Sequence, residues 1–170
     1  MSELRPVEPL DSRRHDTDWF DCGKPKLDRW LRAYAGQSQR RDVARTFVVT
    51  DSKLKFVSYY TLVAAEVEHA AASPVVRAGT SRHFPIPVCL IARLAVDRSW
   101  QGRGLGRDLL RDAMQRELAA SEQIGIRAVV VDAMDEEAAS FYVRRGFEPS
   151  TDDGLTLMVP LAAVRSQLAG

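Results

Sequence analysis

Two cysteines, Cys22 and Cys89, are all that this 170-residue chain contains. They exclude a disulfide framework and a C-x-x-C metal pair, and a buried thiol behaves as a small hydrophobe. No apolar run approaches the roughly 18 residues of a membrane span, and the N-terminal stretch, with Glu3, Glu8, Asp11, Asp16 and Asp18, does not resemble a signal peptide. A cytoplasmic location without membrane contact is expected. An excess of one charge is also missing: 24 Lys+Arg stand against 23 Asp+Glu, so overall charge carries no nucleic-acid signal. No repeat or low-complexity segment appears. A chain of this length with 45% hydrophobic and 28% charged residues is expected to fold as one domain over residues 1–170.

The charge that is present is uneven. Residues 24–45 carry Lys24, Lys26, Arg29, Arg32, Arg40, Arg41 and Arg45 against Asp28 and Asp42, whereas residues 132–153 are predominantly acidic. A solvated helix face and a phosphate-rich partner both explain such a basic run.

Residues 4–10 read as an edge strand, because Pro6 and Pro9 donate no ladder hydrogen bond. Pro25 opens a helix whose buried stripe is Leu27, Trp30, Leu31 and Tyr34. A polar segment from Gly36 to Arg45 precedes a hairpin, with strands at 46–50 and 54–66 joined by Asp51-Ser52-Lys53. Residues 69–87, with Pro74, Gly79, Pro85 and Pro87, read as a mobile or partner-ordered loop. Further on, Val129-Val130-Val131 suits a strand buried on both faces, a helix follows over 135–145, and Gly146 suits its left-handed cap. A last strand over 155–160 and a terminal helix over 161–168 complete a mixed α/β sheet.

The chain is organised around residues 86–118. An apolar β-favouring run ending Arg93-Leu94-Ala95-Val96-Asp97 leads into Gln101-Gly102-Arg103-Gly104-Leu105-Gly106, and from Leu105 the apolar residues Leu109, Leu110, Ala113, Met114 and Leu118 recur at helical spacing. Alternate glycines at a strand-to-helix junction let backbone N–H groups converge on one point at a helix N-terminus, a cradle for phosphate. The spacing fits neither the P-loop, because Arg107 follows Gly106, nor the G-x-G-x-x-G dinucleotide fingerprint.

Q-x-x-G-x-G after an apolar strand resembles the acetyl-CoA signature of the GNAT acyltransferases. The block from Asp135 to Phe147 resembles that family's helix ending in F-Y-x-x-x-G-F. The resemblance implies a GNAT-like mixed, mainly antiparallel sheet with splayed central strands flanked by helices. Acetyl-CoA is the implied cofactor, its pantetheine pairing with the backbone of Leu94, Ala95 and Val96. Its pyrophosphate would lie on the loop Gln101, Gly102, Arg103, Gly104, Leu105, Gly106 and Arg107. The Val96 amide would stabilise the carbonyl oxygen as it gains charge, and Tyr142 would protonate the departing thiolate. On residue type alone, Tyr142 reads equally as a core tyrosine beside Phe141. No metal is called for. No general base stands out, since His15, His69 and His83 lie in expected loops as surface histidines. An α-amine titrating near ~8 is partly neutral at physiological pH and so depends on positioning more than on a base.

Several stretches resemble a narrower branch, the TacT-type toxins: Phe20-Asp21-Cys22-Gly23, Leu27-Asp28-Arg29-Trp30-Leu31, Ala44-Arg45-Thr46-Phe47-Val48-Val49 and Pro85-Ile86-Pro87-Val88. That branch implies a charged-tRNA substrate acetylated on the α-amine of its amino acid, blocking translation. It also implies a ribbon-helix-helix antitoxin and a homodimer. Arg40, Arg41, Arg45, Arg77, Arg82 and Arg93 are the residues available to hold tRNA, although Arg93 could instead pair with an acid inside the fold. Asp135 stands where many family members have asparagine, which puts a pantetheine contact there in doubt. The competing readings are an acetyltransferase for a small-molecule amine or a protein N-terminus, and an acetyl-CoA-binding module without catalysis.

Overall fold

The computed structural model describes residues 3–169. Seven strands lie in the order β1-β2-β3-β4-β5-β7-β6: β1 (Glu8–Pro9), β2 (Arg45–Thr50), β3 (Phe56–Val67), β4 (Ile86–Val96), β5 (Ala128–Asp132), β6 (Glu148–Pro149) and β7 (Thr156–Pro160). The helices are α1 (Pro25–Trp30), a π-helical turn (Leu31–Ala35), α2 (Gly36–Arg40), α3 (Pro74–Arg77), α4 (Leu105–Ser121), α5 (Glu136–Val143) and α6 (Leu161–Ala169). The expected mixed, mostly antiparallel sheet flanked by helices is present. β1–β2, β2–β3, β5–β7 and β6–β7 pair antiparallel, and β4–β5 pairs parallel. The contacts divide the chain into two compact units. One comprises the chain up to Val63 with Ala92–Ala113, and the other Ala64–Ile91 with the chain from Met114 onward. Among the described residues, no helix is long and apolar enough to cross a membrane.

In the first unit, Leu10, Phe20, Cys22, Leu31, Ala35, Val48, Phe56, Tyr59 and Ala95 form one apolar cluster, with Leu27 and Trp30 packed against it. Phe20 meets Phe56 and Tyr59 edge-on, at centroid distances of 5.9 and 5.6 Å. One of the four expected stripe positions faces solvent. Tyr34 is 54% exposed, and Ala35 is fully buried in its place. A π turn holds more residues than an α turn, so after Leu31 the inward position arrives one residue late. The edge strand is also shorter than expected, reduced to Glu8–Pro9 plus an isolated bridge from Leu4 to Asp51.

His15 departs from its expected surface position and is 4% exposed. Its Nδ1 accepts from the Asp11 N–H at 2.9 Å, which leaves Nε2 to donate to Glu8 at 2.8 Å. With both ring nitrogens engaged, it ties the N-terminal segment together and has no lone pair to serve as a base.

The second unit has its own cluster of Ala72, Val76, Ile86, Val88, Ala128, Val130 and Met158. β5 is buried along Ala128–Val131, as its unbroken apolar run requires. The stretch expected to be a mobile loop is instead anchored. Residues 74–77 form α3, Val76 is fully buried, and Arg127 donates to the carbonyls of Val76 and Ala78 at 2.9 and 2.7 Å. Pro74 starts this helical turn rather than interrupting structure.

Within this unit a carboxyl occupies a core position. Glu117 is 1% exposed, and neither of its oxygens has a hydrogen bond of ordinary geometry. Burial pushes its pKa up to about 8, against a smaller lowering by the Cys89 thiol beside it. Between about pH 4.5 and 8 the unfolded chain has released this proton while the folded chain holds it. Stability should therefore fall as pH rises through that window, by roughly 1.4 kcal/mol per pH unit. Glu117→Gln should flatten this decline in thermal unfolding midpoints measured from pH 5 to 8. Equal slopes in the two proteins would show that Glu117 ionises without cost.

Candidate active site

In the first unit, β4 ends in a tightly braced turn. Ala95 faces the apolar cluster, so by strand alternation Leu94 and Val96 face the other way. The Asp97 N–H donates to the Val57 carbonyl at 2.8 Å. The Asp97 carboxylate accepts from the N–H groups of Asp21 and Ser99 at 3.1 and 3.0 Å and from the Ser99 hydroxyl at 2.7 Å. Burial raises its pKa, but these hydrogen bonds and the Lys55 charge outweigh burial and hold it below the ordinary carboxylate range. A charged Asp97 thereby caps the 3-10 turn Arg98–Trp100 that begins the loop.

Gln101 is the loop's anchor. Its side-chain amide donates to the carbonyls of Val96 and Cys22, both at 2.9 Å. The first residue of the motif is thus spent on holding the loop against the strand end. Gly102 and Gly104 adopt φ of +79° and +84°, in the left-handed region that a side chain resists. Those two reversals bring the chain into α4 at Leu105, and the amides of Leu105, Gly106 and Arg107 lie in its first turn, where no intrahelical acceptor exists. Arg103 lies over the Trp100 ring at 4.7 Å, and the exposed Arg107 sits 3.6 Å from Asp108. Uncommitted amides, the positive end of a 17-residue helix and two adjacent guanidinium groups form a cradle suited to a pyrophosphate.

The parallel pairing of β4 with β5 runs from Val88↔Ala128 to Ile91↔Val131, while β4 itself continues to Val96.

In the second unit, the Asp135 side chain accepts from the Ala138 N–H at 2.8 Å and caps α5. An aspartate there has a local structural task that needs no ligand. Tyr142 is 7% exposed and meets Phe141 and Phe147 edge-on, at 5.1 and 5.4 Å. The ring is thus a core aromatic, and its hydroxyl has no hydrogen-bond partner among the described residues. Burial raises the phenol pKa and the Arg145 charge lowers it less, so the group stays protonated at neutral pH. Gly146, at φ +95°, closes the helix as its position suggested.

The six basic residues are distributed between the units. Arg40, Arg41 and Arg45 gather at the exposed corner between α2 and β2, where Arg45 pairs with Asp42 and donates to the Gln39 carbonyl. Arg77 lies in α3 and donates to the Ala70 carbonyl at 3.4 Å, and Arg82 is exposed in the following loop. Among the described residues, Arg93 pairs with no acid. Its guanidinium carbon lies 3.9 Å from the centroid of Trp30, and that stacking was not foreseen. Among the described residues, no cluster of His, Cys, Asp and Glu could hold a metal ion.

Residues 56–149 match the family described as acetyltransferase (GNAT) domain. The chain is similar to a tRNA-acetylating toxin of Mycobacterium tuberculosis, with 42% identity over 89% of each protein. Among solved structures it is similar to AtaT complexed with acetyl-methionyl-tRNAfMet, with a TM-score of 0.89, 28% identity, and coverage of 98% of this chain and 99% of that one. It is likewise similar to a tyrosine-to-phenylalanine mutant of the AtaT toxin bound to the C-terminus of the antitoxin AtaR and acetyl-CoA, with a TM-score of 0.83, 28% identity, and coverage of 99% of each chain.

Proposed function

Because the chain belongs to the GNAT acetyltransferase family, we propose that it is a toxin that transfers acetyl from acetyl-CoA to the α-amine of the amino acid on charged tRNA, blocking translation. Acetyl-CoA supplies an activated acyl thioester. The chain's own residues bind, orient and deliver a proton. The observation that carries the reading is the passage from β4 through left-handed Gly102 and Gly104 into α4, which presents the loop amides and the Arg103 and Arg107 guanidinium groups together.

In this reading the backbone of Leu94, Ala95 and Val96 pairs with the pantetheine amides, and the Val96 N–H donates to the thioester oxygen as charge develops there. The loop from Gln101 to Arg107 holds the pyrophosphate, Gln101 acting through its brace on Val96. The amine nitrogen bonds to the acetyl carbon, the carbon–sulfur bond breaks, and the Tyr142 phenol protonates the leaving sulfur. The extra proton on nitrogen passes to the phenolate or to solvent, which leaves an amide and free coenzyme A thiol.

The basic corner of Arg40, Arg41 and Arg45, together with Arg77, Arg82 and Arg93, contacts phosphates of the tRNA. Residues 1–170 act as one catalytic domain in the cytoplasm. The relatives' complexes with tRNA and with antitoxin support a substrate and an inhibitory partner of those kinds here. The antitoxin is of ribbon-helix-helix type and the enzyme a homodimer.

Release of coenzyme A thiol tests this directly. Charged tRNA should elicit release and deacylated tRNA should not, whereas equal release with both, or with polyamine alone, would contradict the substrate. The KM for charged tRNA should also rise at least about tenfold from 50 to 200 mM salt, through counterion release. The KM for acetyl-CoA should change far less, and parallel changes would remove the phosphate contacts from the account.

A further inference from the structure

Arg93 lies on β4 immediately ahead of Leu94, Ala95 and Val96, shares its strand face with the buried Ala95, and is itself half-buried. Its guanidinium is seated on the Trp30 indole at 3.9 Å. Trp30 in turn stacks on Tyr59, at a centroid distance of 6.4 Å and an interplanar angle of 13°, and the Tyr59 hydroxyl donates to the Leu27 carbonyl at 2.8 Å. The cation is thus placed by a chain of packed rings rather than by a counter-charge.

The carboxylates of this unit that lie close by in sequence or packing are engaged elsewhere. Asp28 is buried and accepts from the Cys22 N–H at 3.0 Å. Asp21 accepts from the Gly23 N–H and pairs with Arg98 at 3.3 Å, and Asp97 holds Asp21 and Ser99. Arg93 has no ion-pair partner among the described residues. A partly desolvated guanidinium without an acid is costly to the free protein, and a bound anion would offset that cost.

We infer that Arg93, held by Trp30, is a substrate-positioning residue that binds the phosphodiester on the 5′ side of the terminal nucleoside carrying the amino acid. The inference rests on the charged-tRNA reading above. The amino acid's own carboxyl is esterified in that substrate, so the nearest anion to its α-amine is this phosphate. Three residue steps along the strand lead from Arg93 to Val96, a rise of about 10 Å. That is comparable to the span from the α-amine, across the ester and the ribose, to the 5′-phosphate. A planar guanidinium offers the forked donor pair that a phosphate accepts, and stacking on indole keeps its plane fixed while its edges remain free to donate.

The test uses two small acceptors that share one amino acid ester, 3′-O-aminoacyl-adenosine and its 5′-phosphorylated form, with acetyl-CoA at saturation. The unaltered enzyme should prefer the phosphorylated acceptor by about 10- to 100-fold in kcat/KM, mostly through KM. Arg93→Met should abolish that preference, bringing kcat/KM for the phosphorylated acceptor down to that for the unphosphorylated one, while unchanged acetyl-CoA affinity in calorimetry reports a folded enzyme. Arg93→Lys and Trp30→Leu should each restore or retain only part of the preference, because charge without the fixed plane is a weaker fork. A preference surviving in Arg93→Met would overturn the inference, as would an equal loss on both acceptors, which would make Arg93 structural only. Acetylation of neither acceptor by the unaltered enzyme would overturn the parent reading along with this one.

Discussion

Tyr142→Phe is expected to lower kcat by about a hundredfold to ten-thousandfold while acetyl-CoA binds with unchanged affinity. The substitution removes one hydroxyl and keeps the ring, so the edge-on contacts with Phe141 and Phe147 persist and the fold should tolerate it. In the proposed mechanism the departing thiolate then loses its proton donor. Burial holds the phenol proton well above neutral pH, so activity should have no limb assignable to Tyr142 ionisation across the ordinary working range. Single-turnover acetyl transfer measured beside calorimetric acetyl-CoA binding separates the two effects. A phenylalanine enzyme within a few-fold of the original would remove Tyr142 from the chemistry.

The second large effect is at the loop. Gly104→Asp should weaken acetyl-CoA binding by at least about a hundredfold through two separable causes. The backbone at φ +84° disfavours any Cβ, at a cost of roughly 1–2 kcal/mol. Crowding is the lesser obstacle, because the atom that a Cβ would meet at 3.2 Å is the far end of the Arg107 side chain, which can swing away. The added carboxylate would then face the pyrophosphate across the same amides. Asparagine tolerates the left-handed region better and brings no charge, so Gly104→Asn should lose much less than Gly104→Asp. Equal losses in isothermal titration would show that position 104 does not face an anion.

The parts of the fold that were legible in the sequence are those written in short-range chemistry. Apolar β-favouring residues before alternate glycines predicted β4, the turn and α4. Pro25 marked a helix start, and Gly146 marked a helix end that adopts φ +95°. Misreadings arose where tertiary contacts decide. Tyr34 was assigned inward because a regular 3.6-residue period was assumed, and a π turn after Trp30 delays the inward position to Ala35. The proline-rich 69–87 stretch looked irregular, yet Arg127, far along the chain, supplies donors to two of its carbonyls. Glu117 was detectable in principle, since it lies three residues after Met114 and seven after Leu110 on the buried face of α4. Its charge argued against that position, and only burial reveals that it is held protonated.

For the site, the motif identified which residues form the loop but not how they divide the work. Gln101 was expected among the cofactor contacts, and the bridge its amide makes between Val96 and Cys22 was not foreseen. Asp135 was a doubtful ligand position and is a helix cap. The pairing of Arg93 with Trp30 joins residues far apart in sequence, with no local pattern to announce it.

The most direct test of the central claim is to incubate the enzyme with isotopically labelled acetyl-CoA and a pool of charged tRNAs, digest the RNA to nucleosides, and identify the labelled product by mass spectrometry. The account predicts label on N-acetyl-aminoacyl-adenosine, absent with Tyr142→Phe and absent when the tRNA is deacylated beforehand. Label confined to a small amine or a protein N-terminus, or none while acetyl-CoA still binds, would contradict it.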